Sequence, residues 1–463
     1  MDEAEKIMST IKKDINNRPI SLKMDCCTRL NRGIIGINIQ YHIKNKLVIR
    51  TLAMSNLEER HTSDYLKSVV LKVLNRYDIR PDQVYSCTVD NGANMVKMVR
   101  LLAEDNENDA QELNAGEIDE DGDTDVLANN QYSSENEILN DNFQEHLVNS
   151  FTSTGFGMTF CIRCSAHTVQ LCVFDGLKTT NLKVILEKAR KVVKKLRTPT
   201  VSTMLKKKNL KKAILDCDTR WNSIYHMLNR LYDLKQFCEL TANDHCIPEL
   251  ELNNDDWELI KSLVLTLEPV EIGSKILQKA DLTIGDFYGC WWKIRNGLSK
   301  VNTELSKAIQ ASMIFNYMSF LAIYMDPRFQ ILLVPEFKKK AQDHICKLWS
   351  LICALKNVGR PQEVCTINVP ENVCVTVDNE TDITDDFELF LKSKSGSNCI
   401  TTNSTILQPN ISAIVKSYDG VQRIPYESDI REYWSLKEKK MPELYEISQI
   451  LMSIPATQVS LKD

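Results

Sequence analysis

Several features that mark other classes of protein are missing from this sequence. No apolar run reaches the length of a membrane-spanning helix, and no apolar stretch near the N-terminus is typical of a signal peptide. The fifteen cysteines are odd in number and scattered, without the spacing of a secreted disulfide framework. We therefore expect no membrane partner, and reduced thiols in the cytosol or the nucleus.

Basic residues are absent from one long segment. Residues 104–146 hold fifteen Asp and Glu, no Lys or Arg, and few aromatics. The whole chain has a net charge of −5, so the chain without these fifteen acids carries +10. This composition predicts a disordered acidic insert, with a calcium loop at residues 119–125 as a minor alternative. The positive charge of the rest of the chain fits a nucleic-acid partner, although a need for solubility alone would also account for that charge.

A short strand that ends in an acid is the central feature of the chain. The β-prone run Val84–Val89 leads to Asp90, Asn91 and Gly92 break the strand, and a helix is predicted over Ala93–Leu102. An earlier strand-like run ends in the same way at Asp25. Folds of the α/β class place metal and phosphate chemistry at such strand ends. A plain helix cap is an equally good interpretation of Asp90.

The elements around these acids follow a simple order. Alternating and apolar residues predict three strands within residues 21–53. A helix follows, with Thr62 or Ser63 as its N-cap, and then comes the strand that ends at Asp90. A fifth strand is predicted over Met158–Ile162, after the acidic insert.

The run Cys161-x-x-Cys164-x-x-His167 has a spacing that zinc ligands use. A structural zinc ion needs four ligands, and no second pair of Cys or His lies at a suitable spacing. We therefore favour a packed junction between strand and helix, with structural zinc as the minority interpretation.

A second segment of unusual composition is strongly basic. Lys188–Lys212 contains eleven Lys and Arg and no acid. Such a run is commonly a solvated helix face, but its density would also neutralise several DNA phosphates. We expect nonspecific DNA contact here, with Lys206, Lys207 and Lys208 at its centre.

Seven short blocks carry a family resemblance. They are Leu22–Asp25, Val84–Met95, Cys161–His167, Asp218–Ser223, Leu267–Pro269, Tyr324–Arg328 and Ile454–Thr457. In this order they resemble the hAT superfamily of DNA transposases and the BED-zinc-finger proteins derived from it. The likeness covers residues 20–463, and no N-terminal Cys/His cluster of a BED finger precedes it.

The resemblance implies an α/β fold with an RNase H-like core that an all-α domain interrupts. The expected parts are a residual helix or linker at 1–19, the core at 20–215 with its disordered insert, a helical insertion domain at 216–358, a polar connector at 359–425 and a truncated hAT C-terminal dimerisation region at 426–463.

The same resemblance implies a catalytic metal site. Asp25 and Asp90 match the two aspartates that hold Mg²⁺ or Mn²⁺ in the family. The third acid is expected eight residues after Ile454, where this chain has Lys462. Phosphoryl transfer with two metal ions needs several carboxylates to hold the ions. We therefore expect that a metal ion bound by the two aspartates alone does not support catalysis.

The resemblance also assigns other contacts. Cys164 and His167 match a pair near the active centre that could touch DNA, and Arg220 and Trp221 match a pair implicated in stacking on a flipped base. A core position is an equally weighted interpretation of Trp221. The expected dimerisation residues are Trp434, Leu444 and Tyr445.

These inferences predict a nuclear, transposase-derived protein without catalysis, whose partners are DNA and a second copy of itself rather than a membrane or a small-molecule substrate. The alternative is a fragment of an active transposase that cuts and joins DNA with divalent metal. A coding remnant without a role also stays open.

Overall fold

The computed structural model describes residues 3–29, 32–112, 159–180, 182–217, 220–244, 247–279, 281–313, 319–357, 387–388, 390 and 411–458. The chain divides into two compact units. The sheet unit comprises residues 1–162 and 317–455, and the helical unit comprises residues 163–316 and 456–463.

The helices and strands follow one another in a mixed α/β order. In chain order they are α1 (Glu3–Ile15), β1 (Ile20–Arg29), β2 (Arg32–Ile43), β3 (Lys46–Leu57), α2 (Ser63–Arg76), β4 (Val84–Val89), α3 (Ala93–Glu112), β5 (Phe160–Arg163), α4 (Ser165–Thr179), α5 (Lys183–Leu196), α6 (Pro199–Lys207), α7 (Trp221–Asp233), α8 (Lys235–Asp244), α9 (Asn254–Leu277), α10 (Ile284–Ser299), α11 (Glu304–Ser312), α12 (Ser319–Tyr324), α13 (Pro335–Asn357), α14 (Ile411–Tyr418), α15 (Ile430–Lys437) and α16 (Pro442–Met452).

The strands form one five-stranded sheet in the order β3-β2-β1-β4-β5. The pairs β1–β2 and β2–β3 are antiparallel, whereas β1 and β4 are parallel neighbours. Lys44 and Asn45 close the β2–β3 hairpin with φ of 47° and 63°. A two-residue loop with positive φ at both positions matches the twist of the strands it joins. The predicted run of three strands, a helix and a fourth strand is confirmed.

The alternation of side chains along β2 shows which face of the sheet carries the hydrophobic core. Ile35, Ile37 and Ile39 of β2 are fully buried, because alternate side chains of a strand point to the same face. Helix α2 packs onto this core from an N-cap at Thr62, whose hydroxyl accepts a hydrogen bond from the Tyr65 N–H. The predicted cap is therefore confirmed.

Helix α1 belongs to the same core. Ile11 and Ile15 are 1% and 2% exposed and lie in the cluster beneath the sheet. The Gln83 amide donates to the Ile15 carbonyl at 3.0 Å, which ties the end of the helix to the residue before β4. Of the predicted helix or linker at residues 1–19, the structure shows a helix, and its apolar face is buried in the sheet unit.

The boundaries of the helical unit differ from the prediction. It begins at residue 163 rather than 216 and ends at 316 rather than 358. Helix α13 lies in the sheet unit, where Ile345 and Leu348 are fully buried. Helical periodicity alone cannot say which core a helix covers. None of the helices within the described ranges is long and apolar enough to cross a membrane.

Parts of the predicted connections fall outside the described residues. Helix α3 continues to Glu112, nine residues into the expected insert, because residues 104–112 contain no Gly or Pro to stop it. Residues 113–146, most of the connector and Lys462 lie outside the described ranges.

Candidate functional site

The two predicted acids lie at the ends of neighbouring parallel strands. The register pairs Lys23 of β1 with Thr88 of β4, and Asp25 and Asp90 each follow two residues later. Both aspartates are half-buried. The strand order thus brings together two carboxylates that are 65 positions apart in sequence.

The pKa of the Cys26 thiol reflects the charge of both carboxylates. Burial, then the charge of Asp90, then that of Asp25 raise the pKa of Cys26 to about 12. The thiol instead donates a hydrogen bond to the Met95 sulfur, at 3.4 Å. One side chain therefore senses both carboxylates.

The turn after β4 holds the second acid in place. One carboxylate oxygen of Asp90 accepts the Gly92 N–H at 3.0 Å. A Cβ added to Gly92 would lie 3.0 Å from that same oxygen, so a larger residue would crowd it. Helix α3 begins at the next residue, and its N-terminus favours negative charge.

The Ile454–Thr457 block also reaches the end of β4. The buried Thr88 hydroxyl donates to the Pro455 carbonyl at 2.6 Å, two residues before Asp90. Ile454 and Ala456 are 1% and 2% exposed. The block that precedes the expected third acid therefore starts beside the acid pair within the sheet unit.

The acid pair suits one hard divalent cation, because such ions prefer carboxylate oxygens. Within the described ranges, no three His, Cys, Asp or Glu side chains come together as a metal-binding group. A single ion would act as a Lewis acid when bound, and Asp25 and Asp90 would hold it.

We expect wild-type protein to bind Mn²⁺ weakly and Asp90→Asn to lower that affinity about tenfold, a loss of about 1.4 kcal/mol. The repulsion between two adjacent carboxylates is relieved by the ion, and the amide removes one of the charges. Calorimetric titration measures the effect. Asp64→Asn, a change at an exposed acid in the first turn of α2, is the matched control. Equal heats for wild type and Asp90→Asn would refute the pairing.

Cys164 and His167 lie at the start of α4 in the helical unit. The Cys164 sulfur is buried and accepts the Gln458 N–H at 3.1 Å, and the Ser165 N–H donates to the Ala456 carbonyl at 3.0 Å. His167 is half-buried. These contacts are those of a packed junction, and DNA contact by the pair stays a prediction.

The basic segment falls into two parts. Three of its side chains form ion pairs with acids elsewhere in the helical unit. These pairs are Lys188–Asp256, Arg190–Asp216 and Lys195–Glu249, with nitrogen–oxygen distances of 2.8, 2.6 and 2.7 Å. The positive charge of the first part of the segment is therefore partly neutralised by these ion pairs.

The second part stays exposed. Lys206, Lys207, Lys208, Lys211 and Lys212 are all exposed at and after the end of α6. They have no ion pair within the described ranges. We call these five residues the lysine patch. Lys208 also lies over the Phe237 ring, 5.5 Å from its centroid, which restricts where its charge points.

The structure favours the core interpretation of Trp221. The ring is 1% exposed, at the first position of α7, and shares its buried face with Ile224 and Leu228. Arg220 is the N-cap residue and is exposed. A base cannot stack on a buried ring, so the predicted stacking role of Trp221 does not fit this conformation.

Sequence reasoning missed a buried carboxylate in the helical unit. Glu271 of α9 is 3% exposed, accepts the Asn222 amide at 2.6 Å and lies 3.2 Å from the His226 ring nitrogen. The spacing of four residues between Asn222 and His226 placed both on one face of α7. Only the fold could show that an acid meets them.

The predicted dimerisation residues are mostly interior. Trp434 and Leu444 are 0% exposed, and the Trp434 indole donates to the Met325 carbonyl at 3.1 Å. Tyr445 is half-buried and donates to the Asn45 side chain at 2.8 Å. These three residues pack within the protomer in this conformation, and their part in a dimer surface stays a prediction. The exposed apolar residue here is Leu436, at 75%.

Comparison with known families identifies two regions. A family model of the ZBED1 RNase-like helical domain matches residues 162–265. A model of the hAT family C-terminal dimerisation region matches residues 416–463, starting ten residues before the predicted boundary. The second match overlaps the predicted dimerisation region, whereas the first extends across residue 216, the predicted boundary between the core and the helical domain.

Curated relatives agree with these matches. The chain is 23% identical to the zinc finger BED domain-containing proteins RICESLEEPER 3 and RICESLEEPER 1 of rice, over 66% and 71% of this chain and 43% and 49% of theirs. It is 28% identical to human zinc finger BED domain-containing protein 4, over 25% of this chain and 10% of that protein.

The chain therefore spans about half the length of the rice relatives that it matches. Two matched regions of one family, in the expected order, agree with relatives that all carry a BED-zinc-finger name. The chain thus contains a region similar to the ZBED1 RNase-like helical domain and one similar to the hAT family C-terminal dimerisation region, and it is similar along much of its length to BED-zinc-finger proteins.

Proposed function

We propose that this chain is a nuclear, DNA-binding and self-associating member of the hAT superfamily that does not cut DNA. The observation that carries the proposal is the lysine patch, five exposed cations without ion pairs in the described part of the chain. Each phosphate contact by such a side chain releases counterions from DNA. Binding of this kind is independent of sequence.

The strand order supports an RNase H-like core. Three antiparallel strands followed by a strand parallel to the first is the arrangement that such a core requires, with its acids on the two central strands. Asp25 and Asp90 occupy those positions. We propose this fold from topology, and the acid pair is its metal site.

We propose no catalysis, because only two of the three expected acidic residues are present. Displacement with two metals needs carboxylates to hold both ions and to position water. Lys462 stands where the family resemblance expects the third acid, and a cation there opposes a second divalent ion. We propose that Asp25 and Asp90 hold at most one ion.

Self-association is supported by the matched dimerisation region. Since Trp434 and Leu444 are buried, we propose that the dimer surface uses exposed residues of the same region, Leu436 among them.

We expect Lys206→Glu, Lys207→Glu and Lys208→Glu together to weaken DNA binding by about a hundredfold at low salt and to flatten its salt dependence. Three cations are lost and three repulsive charges replace them. Fluorescence anisotropy with duplexes of two unrelated sequences, across a range of salt concentrations, measures the change.

A second lysine triplet gives the matched control. Lys338, Lys339 and Lys340 of α13 carry the same change in charge, but Lys338 and Lys340 already pair with Asp419 and Glu336. Their change to Glu should weaken DNA binding far less. If both triple variants bind like wild type, the lysine patch is only a solvated surface and the proposed function fails.

A further inference from the structure

Part of the lysine patch lies on a stretch of chain without regular secondary structure. Helix α6 ends at Lys207, and residues 208–217 form neither helix nor strand. Lys208, Lys211 and Lys212 belong to this stretch. A chain without a helix or a strand ladder samples many conformations unless other contacts fix it, and each conformation would place the lysines differently. Contacts with the rest of the helical unit therefore decide where these lysines lie.

The start of the stretch is fixed by the end of α6. Asn209 has a φ of 54°, and the following N–H, that of Leu210, donates to the Leu205 carbonyl at 2.9 Å. This hydrogen bond satisfies one of the last carbonyls of the helix. The Lys208 ammonium lies over the Phe237 ring, 5.5 Å from its centroid. The chain thus leaves α6 in one defined direction.

Two arginines bind the middle of the stretch. Arg230 of α7 donates from Nη1 to the Lys212 carbonyl at 3.1 Å. Arg197, directly after α5, donates from Nη1 to the next carbonyl, that of Ala213, also at 3.1 Å. The Ala213 side chain is buried. Two adjacent peptide groups are therefore hydrogen-bonded by guanidinium groups from different parts of the helical unit.

An ion pair fixes the end of the stretch. Arg190 of α5 donates from Nε and Nη2 to the Asp216 carboxylate, at 2.9 and 2.6 Å. The Asp216 side chain is 3% exposed, so this acid faces the protein rather than solvent. A guanidinium that bonds a carboxylate through two N–H groups fixes its direction as well as its distance. The stretch is therefore held at its start, its middle and its end.

Holding the lysines in place before DNA arrives should raise the affinity. A flexible chain with the same charges also attracts phosphates, but ordering that chain at the moment of binding costs free energy. Here the ordering is done during folding, because Arg190, Arg197 and Arg230 hydrogen-bond protein oxygens. These groups would thus act on DNA affinity through the position of the lysines rather than through contact with phosphate.

We propose that Arg190, Arg197, Arg230 and Asp216 are positioning residues, which hold the lysine patch in the conformation that binds the DNA backbone. This inference rests on the proposed DNA-binding function. It adds that the affinity of the patch depends on one ion pair and two hydrogen bonds made within the protein.

Asp216→Asn tests the inference, because charge and position predict opposite results. Removing an acid makes the protein more positive, so charge alone predicts tighter DNA binding. Loss of the ion pair to Arg190 frees the stretch, so positioning predicts binding that is weaker by about fivefold to tenfold. Fluorescence anisotropy with duplex DNA measures the change. Asp256→Asn is the matched control, since Asp256 pairs with Lys188 outside the stretch, and it should bind at least as tightly as wild type.

A second variant keeps the charge unchanged. Arg190→Lys retains the cation but loses the two-bond geometry, so it should weaken DNA binding in the same way. Since all five lysines of the patch remain, the salt dependence of binding should match that of wild type in both variants. Urea denaturation shows whether each variant still folds. If Asp216→Asn does not, then Arg190→Lys decides the test.

Proteolysis reports on the stretch without DNA. Trypsin should cut after Lys211 and Lys212 several-fold faster in Asp216→Asn than in wild type or Asp256→Asn, because the freed backbone opens more often. In the variant that carries Lys206→Glu, Lys207→Glu and Lys208→Glu, adding Asp216→Asn should change DNA binding little, since its effect acts through the lysine patch.

The outcomes separate this inference from the proposed function. If the triple lysine variant loses DNA binding while Asp216→Asn and Arg190→Lys bind as tightly as wild type or more tightly, these residues do not position the patch. The inference is then overturned and the proposed function stands. If wild-type protein binds no DNA, the proposed function fails and the inference fails with it, whatever the trypsin result.

Discussion

Trp434→Ala should lower the free energy of unfolding by about 3–5 kcal/mol, the usual cost of removing a large buried aromatic side chain. The ring is 0% exposed, its N–H donates to the Met325 carbonyl at 3.1 Å, and it lies 5.4 Å from the Tyr418 ring. The substitution leaves a cavity and removes one of the two hydrogen bonds that the Met325 carbonyl accepts, while the one from the Tyr418 hydroxyl remains. Urea denaturation followed by circular dichroism measures the loss.

Leu436→Ala is the control, two residues later in α15. This side chain is 75% exposed, so its loss should change stability by less than about 0.5 kcal/mol. The pair of variants also tests the predicted role of Trp434 in dimerisation. If Trp434→Ala leaves the monomer as stable as wild type but abolishes self-association in sedimentation, then the tryptophan belongs to the dimer surface after all.

Lowering the pH from 7 to 5 should reduce the free energy of unfolding of the sheet unit by roughly 2 kcal/mol for each of two buried histidines. Burial, with Arg431 nearby, lowers the pKa of His42 to about 4. Burial, with Lys347 nearby, lowers the pKa of His344 to about 3, and its ring nitrogen lies 2.9 Å from the Tyr85 hydroxyl. Both rings are neutral in the folded protein across this range.

The direction of the effect follows from proton binding. An unfolded histidine takes up a proton below a pH of about 6.5, whereas these folded rings stay neutral down to a pH of about 4. The unfolded state therefore binds more protons between those values, so stability is complete above pH 6.5 and falls as the pH is lowered. Most carboxylates titrate below this window.

Denaturation curves at pH 7, 6 and 5 measure the slope. His42→Gln should remove about half of the pH dependence, although its stability at pH 7 also changes because the ring is packed against α16. A curve that is flat from pH 7 to pH 5 in wild type would show that these rings are open to solvent in the folded protein.

Much of the fold could be predicted from local sequence patterns. Alternation marked β2, an apolar run ending in an acid marked β4, and Thr62 marked the start of α2. These signals are local because they depend on backbone geometry and on side chains a few positions apart. The adjacency of Asp25 and Asp90 needed one further step, the family resemblance, and the parallel register of β1 and β4 supports it.

Burial of large apolar residues could not be assigned in the same way. Trp221, Trp434 and Leu444 are residue types found in DNA-stacking or dimer contacts, yet Trp221 is buried in the helical unit and the other two are buried in the sheet unit. An aromatic residue at an interface and one in a core share the same sequence pattern, because both bury the same apolar area. Which neighbour covers the ring depends on residues such as Met325, 109 positions away.

The sequence alone determined the mixed α/β class of the fold, the acid pair as a candidate metal site, the charge of the lysine patch and the family resemblance, because each rests on residue type or on order along the chain. Only the tertiary structure decided which lysines of the basic segment have no ion pair among the described residues, and that α1 and α13 complete the sheet unit. Those outcomes depend on which distant side chains meet, and no local periodicity records such contacts.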